Sequence, residues 1–410
     1  MKKNKAVITG IGVISPNGIG KDEFWKALKN GTSGIKPISV FDSSLFKAHL
    51  AAEVINFDPA AYLGDKGLRN LDRGTKFLCS AAKLAIDDAS LQITEDNTND
   101  IGVVTATTLS VIWNISAFSK EAEDEGPQFV NPAMFPGTTI NAPSSQVSIK
   151  FNIKGFNTTI STGFTAGLDS LRYALDFIKL GRAKAILVAG VESLFFQTFV
   201  GFHKLEFLAG IKGEEVSAPF DLRRNGIIIG EGSAVLVLEN EDHALKRNAK
   251  IYAEVGAVEN FFDPFRSGRY NPKAEGLRRS ISHSLKESKT KENDIDYICS
   301  SANSVQVQDM LETKAIKDVF ENRAGDIPAS SIKSMIGEAI SASGILQVAA
   351  SIGAMENNFI PPTINYQKPD PACDLDYCPN KSRDKKINKT LITNFGPGGN
   401  NAACVLIKYE

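Results

Sequence analysis

A chain of 410 residues with 42% apolar and 23% charged residues has the make-up of a soluble globular protein, long enough for two domain-sized units or one large intertwined one. Its formal net charge of −1 offers no basic field for nucleic acid or for an anionic membrane. Five unevenly spread cysteines form no disulfide framework, the apolar runs at 185–191 and 233–238 are too short to span a bilayer, and the chain reads as cytoplasmic.

The N-terminus, MKKNKAVITGIGVIS, joins a basic start to an apolar run. Glycines at 10 and 12 interrupt that run and no small-residue cleavage site follows cleanly, so a core strand over 6–14 is favoured over a signal peptide. The turn SPNGIG ends it. Helices are predicted over 21–28 and, strongly amphipathic, over 73–89; a strand follows at 100–106 and a helix at 141–151. Residues 155–193 read as strand, tight turn, buried helix and strand. Thr158, Thr159 and Ile160 make the first strand, and Ser161, Thr162 and Gly163 the turn. Leu168, Leu171, Leu175 and Ile178 give one helical face, Gly181 a stop, and 185–190 a strand covered on both faces. A loop from 221 leads into a strand at 234–238. The second half repeats the rhythm, with strands at 251–258, 296–300, near Ser331, 390–395 and 402–408, and helices at 274–286, 310–320 and 338–355. Such alternation predicts a layered α/β fold. The polar stretch 367–389 reads as a surface loop.

The turn before the buried helix is a place for a nucleophile, because free N–H groups and the positive dipole end stabilise an anion there. Here the side chain is Phe164, which has no nucleophilic atom. Cys373 and Cys378 lack the further ligands a zinc site needs, so no metal is expected. None of His49, His203, His243 and His283 lies in a Gly-rich turn or at the start of a buried helix, and His243 and His283 read as solvated. Glu338 has two readings, an N-terminal charge stabiliser or a site carboxylate. Asp309 and Glu312 also have two: paired site acids, or a cap with a structural ion pair to a lysine such as Lys333. The glycine-rich NFGPGGNN at 394–401 lets backbone approach a ligand or neighbour; it lacks the following helix and the Lys or Ser/Thr of a phosphate loop.

Over essentially its whole length the chain resembles the β-ketoacyl-acyl-carrier-protein synthases, the condensing enzymes of the thiolase superfamily. The resemblance rests on VITGIGVISPNG (7–18), LDRGTKFLCSAAKLAIDDA (71–89), GFNTTISTGFTAGLDSL (155–171) and APFDLRRNGIIIGEGSAVLVLE (218–239). It continues in DMLETKAI (309–316), SIKSMIGEAISASG (331–344), PDPACDLDYCPN (369–380) and NFGPGGNNAA (394–403). It implies a thiolase-like α/β fold, two similar halves forming a layered α-β-α-β-α structure, divided here as 1–250 and 251–410. It also implies a Cys-His-His centre, which this chain lacks. The cysteine position holds Phe164, the first histidine position Ser301 and the second Glu338. Lys333, Asp309, Glu312 and Phe395 match retained motif residues, Gln347 stands at the family's acid, and Pro397 replaces the second aromatic of the Gly-rich gating loop. Phe cannot form a thioester, a carboxylate opposes the negative charge an oxyanion site must hold, and serine is a poor base at neutral pH.

The pattern is similar to the chain length factor of type II polyketide systems, the partner of an active ketosynthase, although the best-known members carry Gln where Phe164 stands. The resemblance implies that the isolated chain is no enzyme. It implies instead a heterodimer with an active ketosynthase, served by an acyl carrier protein and needing no cofactor, in which this subunit shapes the acyl tunnel and sets chain length. By family position 109–114 and 132–141 should lie near the interface. Trp113, Met134, Phe135 and Pro397 are candidates for the tunnel or interface, and plain packing is the alternative for each. Two further functions fit the residues: altered acyl-transfer or hydrolase chemistry through Glu338, Ser301 or Thr165, and a homodimeric acyl-binding scaffold.

Overall fold

The computed structural model describes residues 4–265 and 268–410, so the basic start of the chain lies largely outside it. Ten strands carry the architecture: β1 Ala6–Ser15, β2 Ile101–Ala106, β3 Asn157–Ile160, β4 Ala185–Glu192, β5 Gly232–Asn240, β6 Ala253–Phe262, β7 Tyr297–Cys299, β8 Ala329–Ser330, β9 Lys389–Phe395 and β10 Asn400–Lys408. The main helices are α1 Lys21–Asn30, α2 Arg73–Asp88, α3 Ile112–Glu125, α4 Ala142–Phe151, α5 Ala166–Lys179, α6 Phe196–Lys204, α7 Glu275–Glu287, α8 Gln306–Phe320 and α9 Ser343–Asn357.

The sheet runs β8-β7-β9-β10-β6-β1-β5-β4-β2-β3. It is two copies of one topology. β1 pairs antiparallel with β5, β5 antiparallel with β4, then β4, β2 and β3 are parallel. The same sequence of pairings runs β6, β10, β9, β7 and β8. A short antiparallel seam, Val7 with Glu254 and Ile8 with Ala253, joins the copies.

Alternation along the strands creates the layers, since successive side chains point to opposite faces. In β4, Leu187, Ala189 and Val191 pack with α2, whereas Ile186 and Val188 pack with α5 and α9. In β10, Ala403 and Val405 face α7 and α8, and Ala402, Cys404 and Leu406 face the central helices. The result is helix, sheet, helix, sheet, helix, the thiolase-like order. Gly10 and Gly12 in β1 have a packing reason: a Cβ there would come within 2.3 Å of the Ala85 carbonyl and 1.9 Å of the Ala81 carbonyl on α2.

Two expectations change. The helix predicted over 338–355 begins only at Ser343, after a one-turn helix Lys333–Ile336 and a 3-10 turn Ile340–Ala342. The stretch 367–389 is not simply surface: Cys373, Tyr377, Cys378 and Ile387 are buried, and Tyr377 stacks on Phe220 at 3.7 Å. Among the described residues no helix is long and apolar enough to cross a membrane, all five cysteines are free, and no cluster of metal-ligating side chains forms.

Candidate functional site

The buried α5 starts from a 3-10 turn, Gly163–Thr165, fed by β3. Asp169 ties the turn down, accepting from the hydroxyls of Thr162 and of Thr165, the latter at 2.8 Å, and from the Asn260 amide at 3.0 Å. Phe164, half-buried, projects from this turn onto the glycine-rich loop. A Cβ on Gly396 would lie 2.7 Å from the ring's Cγ, so residue 396 is glycine because the ring occupies that space. Asn400 donates to the Thr162 carbonyl at 3.1 Å, closing loop onto turn. Pro397 sits in this loop, half-buried, and brings no N–H to it.

Ser301 is fully buried after β7. Its Oγ accepts from the Phe395 N–H at 3.2 Å and from Gln308 Nε2 at 3.3 Å, so the hydroxyl is held by neighbours. Its N–H donates to Glu312 at 2.7 Å, and Glu312 also accepts from Ser300 at 2.5 Å and from Thr393. Burial pushes the Glu312 carboxyl above its usual range. Asp309 accepts the N–H groups of Phe220 at 2.9 Å and Asn303 at 3.0 Å, and burial pushes its carboxyl up to about 7 against the nearby Arg224 guanidinium.

Glu338 is held by four partners. Oε2 faces the Lys333 ammonium at 2.8 Å and the Asn303 amide at 2.9 Å, while Oε1 accepts from the Ile340 N–H at 2.9 Å and from Ser343 Oγ at 2.6 Å. It caps a turn and forms an ion pair at once. The partner of Lys333 is therefore Glu338, not Asp309 or Glu312, whose nearest cation for Asp309 is Arg224 at 3.6 Å. Gln347 donates to the carbonyls of Ser300 at 2.9 Å and Thr393 at 3.1 Å and accepts from Asn394 at 2.8 Å, work an acid could not do in full. Behind Phe395, Tyr270 lies edge-on at 6.0 Å and bonds Gln308 at 2.6 Å; Tyr270, Phe395 and Gly396 help bound a space of about 10 Å³, room for about one water.

The polar expectation for His243 also changes, because its Nδ1 lies 2.6 Å from the buried Glu239 carboxylate; His283 stays exposed against Phe261.

A separate groove of about 800 Å³ opens between α2, α3, α4 and the 3-10 segment Pro132–Thr138. Trp113 and Met134 both line it, with Ile149, Phe195, Arg69 and Lys76. Asn114 braces its wall, donating to Asp72 at 3.1 Å and to the Gly137 carbonyl at 2.8 Å. Phe135 does not line it; it lies 59% exposed against Phe118, and Pro397 belongs to the loop over Phe164. Sequence reasoning missed Tyr270, Gln308, Asn303 and Phe195, which carry no motif signal of their own.

The sequence matches the β-ketoacyl synthase N-terminal domain over residues 3–244 and the C-terminal domain over 252–367. It is 37% identical over 409 residues to a 3-oxoacyl-[acyl-carrier-protein] synthase 2 of Coxiella burnetii, covering 99% of each chain. It is 34% identical to a putative polyketide beta-ketoacyl synthase 1 of Streptomyces halstedii, covering 99% of this chain and 98% of that one. Among solved structures, the ishigamide ketosynthase/chain length factor superposes with a TM-score of 0.93 at 30% identity, each chain covered in full. A type II polyketide ketosynthase in complex with its acyl-carrier protein superposes with a TM-score of 0.91 at 29% identity, again with both chains covered in full. The expectation that the isolated chain is no enzyme is overturned here: full-length relatives are named as 3-oxoacyl-acyl-carrier-protein synthases.

Proposed function

Because the chain belongs to the β-ketoacyl synthase family, we propose that it works as the chain-length-factor subunit of a type II polyketide ketosynthase, paired with a ketosynthase of the same fold and served by an acyl carrier protein. The carrying observation is Phe164. The turn and helix that would present a nucleophile are intact, yet the side chain has none, so the thioester of the condensation is held by the partner's nucleophile. In that pair this subunit lends wall to the acyl tunnel. The groove of Trp113 and Met134 supports that reading, as does its position beside β3, whose outer edge is unpaired. Asn157 of β3 donates at 2.9 Å to the Ser144 carbonyl on α4, one of the helices that bound the groove. A structural neighbour named as a ketosynthase/chain length factor supports it further.

The test is co-expression with an active ketosynthase of a type II polyketide system. The expected particle contains one copy of each chain, and its product length shifts when Trp113 or Met134 is made smaller. A particle of this chain alone in the presence of that ketosynthase, or product lengths indifferent to both substitutions, overturns the reading.

A further inference from the structure

Glu192, the last residue of β4, is a buried carboxylate, 2% exposed, with no part in the roles described so far. Its Oε1 accepts the Thr108 N–H at 2.6 Å, and the Leu109 N–H reaches Oε1 at 3.2 Å and Oε2 at 3.1 Å. Those amides form the turn from which α3 departs, and the first turn of α3 carries Trp113 and Asn114 into the groove. The Thr108 hydroxyl lies 2.6 Å from Ser341 Oγ, which donates to the Gly163 carbonyl at 3.2 Å. One line of hydrogen bonds thus links Glu192, the groove wall and the turn of Phe164.

We propose that Glu192 is the positioning residue of the groove wall: its carboxyl group seats the Thr108–Leu109 turn, and with it Trp113 and Asn114, and the seat loosens when that group gives up its proton. Burial without a cation disfavours the charged form. It pushes Glu192 up to about 7, opposed by the Thr108 and Leu109 N–H groups and the Ser341 hydroxyl. The charged groups on the elements packed around it are engaged elsewhere. Glu231, which accepts the Leu194 N–H at 3.0 Å, is paired with Arg73, and Asp72 holds Thr75 and Asn114. The seated turn binds the proton more tightly than an opened turn in which the carboxylate meets water. Opening therefore releases a proton and is favoured as pH rises. With an ordinary carboxylate value in the open form, the open fraction grows roughly tenfold between about pH 6 and pH 8.

The test is amide hydrogen exchange of the full chain over residues 107–116 at those two pH values, corrected for intrinsic rates, in the wild type and Glu192→Gln. Glutamine keeps an acceptor oxygen for the two N–H groups and cannot ionise. Protection at Thr108 and Leu109 is expected to fall roughly tenfold in the wild type and less than about twofold in the variant. No fall in the wild type, or an equal fall in both, overturns the proposal. A second arm rests on the proposed function: with the partner ketosynthase, the product-length distribution should broaden at the higher pH for the wild type and stay fixed for Glu192→Gln. Fixed lengths in both, alongside the expected exchange result, would uphold the seat and overturn the tunnel reading.

Discussion

An ammonium and a carboxylate, each with its side chain 1% exposed, sit 2.8 Å apart at Lys333 and Glu338. Such a pair gives little net stability against an apolar pair of the same volume, but breaking it strands a charge in the core. Glu338→Ala should therefore cost about 3–5 kcal/mol in urea unfolding, and the double change Lys333→Met with Glu338→Leu distinctly less. Additive losses would show that the two do not act as a pair. Asp309 makes a pH prediction. Its folded-state value, about 7, lies above the ordinary 3.8, so the protonated form stabilises the fold below about pH 4 and that contribution is lost as pH climbs toward 7. The stability lead of the wild type over Asp309→Asn should thus shrink from pH 5 to pH 8, by on the order of 2 kcal/mol. A lead that widens over that range would reverse the sign assigned to Asp309.

At the scale of elements, the packing of turn against loop is the distinctive feature. The Phe164 ring and the missing Cβ of Gly396 occupy one space. Gly396→Ala should destabilise by about 1–3 kcal/mol through overpacking, and Phe164→Ala in the same chain should recover part of it, giving non-additive melting shifts. Gly12→Ala meets backbone at 1.9 Å and has no such escape, so little soluble folded protein is expected. These elements were unevenly legible in the sequence. Strands β1, β4 and β9 and helices α2 and α5 declare themselves through long apolar runs or a one-sided apolar face. Helix α3 does not, because none of its residues is buried and its Trp113 lines an open groove. The break before α9 was missed because small residues fit a helix, a 3-10 turn and a loop alike. The positions of Phe164, Ser301 and Glu338 could be located by motif, but the partner of Lys333 could not, since the contact depends on how the loop folds. Glu192 went unnoticed because the apolar run that announced β4 ends before it.

For the whole molecule, the doubled topology makes the two sheet ends comparable, and they are treated differently. At the end formed by β8, both residues are buried, and the Ala329 N–H donates to the Asp376 carbonyl at 2.8 Å, so the stretch 367–389 covers that edge. At the other end β3 has exposed and half-exposed residues and pairs only with β2. Its carbonyls at Phe156 and Ile160 accept from Val103 and Thr107, so alternation turns the backbone groups of Asn157 and Thr159 outward. The Thr159 hydroxyl is also left without a partner within the chain. An uncovered edge is a template for strand addition, and natural sheets that do not use one blunt it with charge, proline or a covering segment. None of these devices stands on β3, while the equivalent edge of the other half has one. Thr159→Pro removes an outward N–H and no internal bond. The variant should melt within a few degrees of the wild type, yet co-elute poorly with the ketosynthase proposed above as its partner, with affinity lowered at least about tenfold. Unchanged co-elution would show that the partner does not approach by this edge, and a collapse in melting temperature would show that β3 is held from its outer side within the chain itself.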